Sequence, residues 1–389
     1  MKNVFIIGSK GIPANYGGLE TFVDKLTEYH NAKDIQYYVS CMDPLEKNGK
    51  EAARYTYHGA KCFVIKVPQI GAAKAPLYDW KSIAFFTKYI KKNEIKDAVV
   101  YVLACRIGPV YGHYVKRLHK LGAKVLLNPD GHEWLRAKWN TAIKMYWRIS
   151  ERLMIKNSDF IICDSINIEK YIKKDYAKYA PKTTFIAYGA EMEPSRLPDD
   201  APDYTEWLKK WDLTPGSYFV NIGRIVPENN YETMIKGFMA SNSKRSLVFV
   251  AKTNAFSEEL KKITGYESDP RIKFVGGIYD QELLKKIREN SFGYIHGHSV
   301  GGTNPSLVEA LAVCDLCLLY DVGFNREVGE EGALYWSKDA HALAKLINTS
   351  EQMSVEEITT LGQKAKARIK KYYTWEYVVN RCEEEFRNA

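Results

Sequence analysis

The chain has 389 residues, of which 46% are hydrophobic, enough to bury the cores of two domains. No segment approaches 18 consecutive apolar residues, and the start at Met1 runs directly into a strand pattern. We therefore expect a cytoplasmic protein with neither a membrane span nor a signal peptide. The formal charge of +9 is uneven, because residues 1–190 carry 31 Lys and Arg against 17 Asp and Glu.

The resulting balance of +14 in the N-terminal half contrasts with −5 in residues 191–389. Interleaved tryptophans and tyrosines make this basic half suited to anionic lipid headgroups at a membrane surface. Nucleic acid would also fit the charge, but no nucleic-acid-binding motif accompanies it, and a solvated charged face is the simplest alternative. We therefore predict a peripheral membrane partner and no nucleic acid.

The first strand pattern, residues 3–7, leads into a glycine loop at residues 8–20. Its glycines do not fall as G-x-G-x-x-G, and the next strand ends in Cys41 and Met42 rather than an acid, so a dinucleotide fingerprint is not supported. Further strand patterns alternate with helix-length segments. They cover residues 62–67, 98–104, 124–128, 160–163 and 183–187. This alternation predicts a parallel sheet covered on both faces, with functional groups at the carboxyl ends of its strands.

Two polar loops follow strands in this half and are candidates for substrate contact. The first carries Arg106, and the second carries Asp130, His132, Glu133 and Arg136. A loop histidine is more often incidental than catalytic, so position alone leaves both interpretations open for His132.

A Pro- and Asp-rich stretch, residues 191–215, interrupts the pattern and is the best candidate for a linker. A second alternating unit begins with the strand pattern 217–222, which leads into Gly223 and Arg224. A strand pattern at 247–250 precedes Lys252, and another at 271–276 precedes Gly277 and Ile278. The N-terminal and C-terminal halves thus repeat an architecture without repeating sequence.

The stretch 293–311, GYIHGHSVGGTNPSLVEAL, predicts a strand, a glycine loop and a helix capped by Asn304 with Pro305 at its first position. Glycines at 301 and 302 let backbone amides approach a ligand, and a helix N-terminus favours an anion such as phosphate. Glu309, one turn inside, could accept hydrogen bonds from the two hydroxyls of a ribose. The alternative is an ordinary strand-loop-helix with a surface glutamate.

This stretch resembles the signature of glycosyltransferase family 4, in which a Glu, a Gly-rich turn and a second Glu read E-x7-E-A. Glu309 and Ala310 match the second half, whereas Gly301 replaces the first Glu. Together with GSKGIPANYGGLETFV near the start, HGHSVGGTNPSLVEA is most similar to the bacterial rhamnosyltransferases that build capsule and cell-wall polysaccharides. The resemblance spans essentially the whole chain.

The resemblance implies the GT-B fold, an α/β arrangement of two Rossmann-like domains facing across a cleft. The acceptor-side domain would comprise residues 1–190 with a C-terminal helix at 372–389, and the donor-binding domain residues 191–371. It also implies a donor site, with Asn229 where relatives usually carry Lys and with Lys252 as a substitute. This site comprises Gly17, Gly18, Arg224, Asn229, Lys252, Gly277, Ile278, His298, Gly301, Gly302, Thr303, Asn304, Ser306 and Glu309.

The catalytic groups implied by the resemblance are Arg224, which pairs with the donor diphosphate, His132, which faces the donor sugar, and Asp130. Arg106, Glu133 and Arg136 are assigned to the acceptor side. The chain contains no Asp-x-Asp, so we expect metal-independent catalysis without a cofactor. The C-x-x-C spacing of Cys314 and Cys317 has no second ligand pair, so we expect all seven cysteines to be reduced thiols.

The implied reaction is the retaining transfer of L-rhamnose from dTDP-β-L-rhamnose to a lipid-diphosphate-linked sugar, forming a β-1,4 bond. The acceptor would be undecaprenyl-diphosphate-linked glucose or N-acetylglucosamine at the inner face of the cell membrane. Three alternatives remain at this point: a transferase with another donor such as a UDP-hexose, a sugar-nucleotide 2-epimerase of the same fold, and a non-catalytic protein that binds a nucleotide sugar or a polymer.

Overall fold

The computed structural model describes residues 1–14, 17–47, 50–136 and 138–389. Within these residues the chain divides into two compact units, one formed by Met1–Tyr188 with Trp375–Ala389 and the other by Gly189–Thr374. The first unit thus ends two residues before the predicted boundary at residue 190.

The described part of the first unit contains ten strands: β1 (Lys2–Ile7), β2 (Ile35–Cys41), β3 (Leu45–Lys47), β4 (Lys50–Ala52), β5 (Arg54–Tyr57), β6 (Ala60–Val64), β7 (Ala98–Leu103), β8 (Lys124–Asn128), β9 (Phe160–Cys163) and β10 (Thr183–Phe185). Eight of them form one sheet in the order β10-β9-β8-β7-β1-β2-β6-β5. This sheet is parallel except for β5, which pairs antiparallel with β6. A separate antiparallel pair joins β3 to β4.

Helices cover both faces of this sheet, as its apolar strands require. They are α1 (Gly18–Glu28), α2 (Lys74–Lys92), α3 (Gly108–His119), α4 (Thr141–Asn157) and α5 (Ile166–Asp175). Side chains alternate between the faces along β1. Val4 and Ile6 join an apolar cluster with α1, while Phe5 and Ile7 join the cluster on the opposite face with α2.

The second unit has a parallel sheet made of β11 (Tyr218–Ile222), β12 (Ser246–Val250), β13 (Ile272–Gly276), β14 (Gly293–His296), β15 (Cys317–Tyr320) and β16 (Leu334–Trp336). Among the described residues the strand order is β13-β12-β11-β14-β15-β16. Its helices are α6 (Pro202–Lys210), α7 (Tyr231–Met239), α8 (Ala255–Thr264), α9 (Gln281–Glu289), α10 (Pro305–Val313), α11 (Gly323–Gly329), α12 (Ala340–Glu351) and α13 (Val355–Tyr372).

The last helix, α14 (Trp375–Asn388), packs against α1 in the first unit. The prediction of a single terminal helix from Tyr372 is wrong at its start, because Tyr372 still belongs to α13. Between these two helices, the carbonyl of Tyr373 accepts a hydrogen bond from the amide of Ala190 at 2.7 Å.

The predicted strands at 124–128 and 160–163 coincide with β8 and β9, and most of the others differ from the observed strands by one to three residues. The short strands β5 and β16 were not predicted, since four and three residues give little periodicity. No helix in the described ranges combines the length and apolar character needed to cross a bilayer.

Candidate functional site

The predicted donor residues of the second unit follow four neighbouring strands. Gly277 and Ile278 come directly after β13, Lys252 follows β12, Arg224 follows β11, and the glycine loop at 297–304 follows β14. These strands are parallel and adjacent in the sheet. Their carboxyl ends therefore meet at one edge, which is where ligands bind in open α/β sheets.

Hydrogen bonds join the loop after β11 to the loop after β14. His298 Nδ1 donates to Asn229 Oδ1 at 2.8 Å, and Asn230 Nδ2 donates to the carbonyl of Gly297 at 2.7 Å. Glycine is required at 297, because a Cβ there would lie 2.3 Å from the carbonyl oxygen of Asn229. Asn229 thus positions the glycine loop and brings no positive charge to this position.

The N-terminus of α10 lies next to the carboxyl end of β11. Asn304 caps the helix by accepting a hydrogen bond from the amide of Ser306 at 2.9 Å, as predicted. The Ser306 hydroxyl, a predicted donor contact, donates to the carbonyl of Ile222 at 2.8 Å and also meets the Tyr294 hydroxyl. Gly301 adopts φ 127°, a backbone conformation that favours glycine.

Glu309 forms an ion pair that sequence reasoning missed. Its carboxylate accepts from NH2 of Arg288, a nearly buried residue of α9, while the Glu309 side chain is 32% exposed. One carboxylate oxygen is therefore occupied by the fold, and the ion pair fixes the direction of the group. No sequence signal identified Arg288, because a basic residue near a helix C-terminus is common.

Arg224 and Lys252 are the exposed cations of this edge. Unlike Glu309, neither forms an ion pair with another residue in the described part of the chain. The carbonyl of Arg224 accepts a hydrogen bond from Asn229 Nδ2 at 2.8 Å, which fixes the backbone from which the guanidinium projects. Two cations at the same sheet edge as a helix N-terminus make this edge suited to a polyanion such as a diphosphate.

In the first unit, Gly17 and Gly18 open α1, and the preceding loop is bound to the helix by carboxylates. Gly17 has φ 130°, and a Cβ there would lie 1.9 Å from Glu20 Oε2. Glu20 Oε1 accepts from the amide of Lys10 at 2.9 Å, and Asp24 Oδ2 accepts from the amide of Ala14 at 2.6 Å. Glu20 and Asp24 were not among the predicted site residues.

Arg106 joins two segments at the carboxyl end of β1. Its NH1 donates to the carbonyl of Gly8 at 2.7 Å and to Oδ2 of Asp79 at 3.1 Å. Asp79 is fully buried, and this burial raises the pKa of its carboxyl to about 6 although Arg106 opposes the shift. Arg106, predicted on the acceptor side, therefore holds the glycine loop and neutralises a buried acid.

Asp130 and His132 lie on the loop after β8, as predicted. Asp130 adopts φ 57°, and its amide donates to Oδ1 of Asn128 at 2.8 Å. Burial raises the pKa of the Asp130 carboxyl and lowers the pKa of the His132 imidazole. The His132 ring packs 4.3 Å from the ring of Tyr171, measured between centroids. A neutral imidazole held against an aromatic ring can donate or accept a hydrogen bond without carrying charge.

The predicted acceptor contacts Glu133 and Arg136 form an ion pair with each other. Glu133 Oε1 also accepts from Nε1 of Trp139 at 2.8 Å and pairs with Lys138 at 3.0 Å. Both carboxylate oxygens of Glu133 are thus engaged by side chains of its own loop, and these contacts stabilise the loop.

The described residues contain no group of three or more His, Cys, Asp or Glu side chains placed to bind a metal ion. The seven cysteines are buried free thiols.

Residues 203–368 match the protein family Glycosyl transferases group 1, and residues 1–191 match the family Domain of unknown function (DUF1972). A search of curated proteins finds no match.

Solved structures share the architecture over the full length. Sucrose-phosphate synthase from Thermosynechococcus elongatus is 19% identical and covers 100% of this chain and 99% of its own, with a TM-score of 0.78. HepE from Anabaena in complex with UDP-glucose is 13% identical, covers 100% of both chains and has a TM-score of 0.71. For α,α-trehalose-phosphate synthase (UDP-forming) from Burkholderia xenovorans in complex with glucose-6-phosphate, the identity is 10%, both coverages are 100% and the TM-score is 0.75. At these identities the likeness establishes the fold, and it confirms the predicted GT-B class.

Proposed function

We propose that this chain, a glycosyltransferase whose residues 203–368 match the Glycosyl transferases group 1 family, transfers L-rhamnose from dTDP-β-L-rhamnose with retention of configuration. The bond between the sugar C1 and the β-phosphate oxygen breaks and releases dTDP. A new bond forms between C1 and the 4-oxygen of the acceptor sugar, whose proton is released. The product is a β-1,4-linked disaccharide on a lipid diphosphate.

The observation that carries this proposal is the assembly at the carboxyl edge of the second unit. Arg224, Lys252 and the N-terminus of α10 follow strands that are adjacent in one parallel sheet. Fixed cations and a helix dipole stabilise charge that develops on a leaving diphosphate without a divalent metal. We therefore propose metal-independent turnover, with Glu309 accepting hydrogen bonds from the ribose through the oxygen not engaged by Arg288.

The identity of the donor sugar is proposed from the glycine at position 301. In the family signature a carboxylate at this position bonds hydroxyls of the donor sugar, and glycine removes that acceptor. L-rhamnose lacks a 6-hydroxyl, which fits a site with one acceptor fewer. A UDP-hexose is the second candidate donor, because the solved structures similar to this chain include HepE with UDP-glucose.

For the acceptor we propose undecaprenyl-diphosphate-linked glucose or N-acetylglucosamine, presented at the inner face of the cell membrane. His132 and Asp130 are proposed to face the reacting sugars, with Arg106, Glu133 and Arg136 shaping the acceptor side. A lipid-linked acceptor requires the enzyme to reach a bilayer surface. The exposed face of α4 supports this, because Met145 and Ile149 lie there among basic side chains.

Purified enzyme incubated with dTDP-rhamnose and a short-chain polyprenyl-diphosphate glucose tests the reaction, with release of dTDP and the mass of the lipid product as readouts. We expect transfer that continues in excess chelator. Arg224→Ala should lower turnover by about 100-fold or more. Lys244→Ala, at an exposed lysine outside the edge, is the matched control.

Transfer from UDP-glucose in preference to dTDP-rhamnose would replace the donor assignment with the second candidate. Epimerisation of the nucleotide sugar without acceptor would overturn the transferase mechanism. Complete inhibition by the chelator would overturn the metal-free site.

A further inference from the structure

His296, the last residue of β14, is a buried histidine whose ring has no hydrogen-bond partner in the described structure. It is 3% exposed, and both Nδ1 and Nε2 are unpaired among the described residues. A neutral imidazole carries one donor and one acceptor, and leaving both unsatisfied in the interior is destabilising. An apolar side chain would fill the same space without that penalty.

The ring lies on the face of the sheet that carries α10. Side chains alternate along β14, so Ile295 enters the apolar cluster on one face while Tyr294 and His296 point to the other. The Tyr294 hydroxyl meets Ser306 in the first turn of α10. The His296 ring centroid is 5.9 Å from that of Tyr294 and 6.1 Å from that of His298. His296 is therefore placed at the base of the glycine loop 297–304.

This loop is held at its ends and contains two glycines at its tip. The carbonyls of Gly297 and His298 accept hydrogen bonds from Asn230 and Asn325, and Asn304 caps α10. Between these anchors lie Gly301, which adopts φ 127°, and Gly302. Glycines give the tip access to other backbone conformations at little steric cost, whereas the anchored ends stay in place.

We infer that His296 is a positioning residue for the donor: when the loop closes on the diphosphate, loop peptide groups form hydrogen bonds with the two ring nitrogens. Since the inference rests on the proposed function, the ligand is a nucleoside diphosphate at the N-terminus of α10. Burial lowers the pKa of His296 to about 3, so the ring is neutral and offers both a donor and an acceptor. Unsatisfied polar groups of this kind persist where function requires them.

The test compares the wild type with His296→Leu, His296→Phe and His296→Asn. The apolar variants remove the unpaired polar atoms, so in the ligand-free state they should melt about 2 °C or more above the wild type. Their affinity for dTDP, measured by calorimetry, should nevertheless fall about tenfold, which corresponds to one or two lost hydrogen bonds. His296→Asn keeps a donor and an acceptor and should recover part of that affinity.

Ile295→Val is the matched control, because it lies on the same strand but faces the opposite cluster. It should lower the melting temperature and leave dTDP affinity unchanged. Apolar variants that bind dTDP as tightly as the wild type would overturn the role of His296, and so would variants that lose stability and affinity together. If the wild type binds neither dTDP nor UDP, the proposed function itself fails. If the wild type binds UDP and not dTDP, the apolar His296 variants should lose affinity for UDP by the same factor, and unchanged UDP affinity would overturn the role of His296.

Discussion

The charged side chains near the predicted sites fall into two groups. Arg106 and Glu309 have ion-pair partners in the fold, Asp79 and Arg288 respectively. Arg224 is exposed and lacks an ion pair among the described residues. Substitutions in the first group should therefore change stability as well as activity, whereas substitution of Arg224 should change activity with little effect on stability.

Glu309→Gln should weaken dTDP binding and also destabilise the protein, because it leaves Arg288 nearly buried without its counter-charge. Breaking a fully buried ion pair costs about 3–5 kcal/mol, and the cost here should be smaller because the Glu309 side chain is 32% exposed. An amide oxygen still accepts one hydrogen bond, so part of the activity should remain. Denaturant unfolding and calorimetry measure the two effects.

The double variant Arg288→Met with Glu309→Gln separates the effect on stability from the effect on dTDP binding. It should recover stability relative to Glu309→Gln, since no unpaired cation remains, without recovering affinity. Equal stability of Glu309→Gln and the wild type would show that the ion pair contributes nothing to the fold.

Asp79 should give the protein a pH-dependent stability. Burial raises the pKa of its carboxyl from 3.8 to about 6, so the folded chain holds this proton to a higher pH than the unfolded chain does. The contribution is complete only well below pH 3.8, and it is lost as the pH rises through about 6. Relative to Asp79→Asn, the wild-type free energy of unfolding should fall by about 2 kcal/mol between pH 4 and pH 7.

Asp34→Asn is the control for this titration, because Arg387 lowers the pKa of the exposed Asp34 carboxyl. Relative to Asp34→Asn, the wild-type free energy of unfolding should therefore rise with pH, opposite to the change expected for Asp79. Denaturant unfolding at several pH values gives the comparison. Parallel pH profiles for the wild type and Asp79→Asn would contradict the prediction.

Among the elements, α4 has two faces of different chemistry. Trp147, Met154 and Ile155 are buried, whereas Met145 is 66% exposed and Ile149 is 45% exposed. Glu151, the acidic residue of this helix, is buried with its carboxylate accepting from the hydroxyls of two tyrosines. The exposed face therefore combines apolar side chains with basic ones such as those at 148 and 152, which suits the surface of an anionic bilayer.

Replacing Met145 and Ile149 with serine should reduce sedimentation with vesicles of anionic phospholipid, since the variant buries less apolar surface at the bilayer. Arg152→Gln should weaken binding at low salt, each basic residue near the surface contributing about 1 kcal/mol before screening. Val355→Ser, at a position 82% exposed in the second unit, is the control. Vesicle binding that is unchanged in the double serine variant would place the membrane contact elsewhere.

On the scale of the whole molecule, the chain leaves its first unit near residue 188 and returns to it with α14. Phe386 is fully buried there, its ring centroid 5.4 Å from that of Tyr101 and 6.2 Å from that of Tyr37. Glu383 pairs with His30 across a sequence separation of 353 residues. The C-terminal fifteen residues are thus part of the core of the first unit.

Phe386→Ala should destabilise the first unit by about 3–5 kcal/mol, because it leaves a cavity in a packed core. Thermal unfolding followed by calorimetry should show a lowered transition for that unit, while the transition of the second unit serves as an internal reference. A single transition, lowered in the variant, would mean that the two units unfold as one.

The alternation of apolar runs and helix-length segments determined the parallel α/β class, and strand positions such as 124–128 could be read directly from it. The same alternation predicted that Arg224, Lys252 and the glycine loop lie directly after strands. A residue just after a strand must lie at the carboxyl edge once the sheet is parallel, whatever the strand order. The donor chemistry itself came from resemblance of the motif around Glu309.

Tertiary structure decided what these side chains touch. Arg288 meets Glu309 across 21 positions and Arg106 meets Asp79 across 27, and His296 lacks any described partner. Local periodicity reports which face of an element is apolar, but it carries no information about which distant polar group will lie opposite. That pairing is set by strand order and by helix packing on the sheet, because these bring residues far apart in sequence within hydrogen-bond distance.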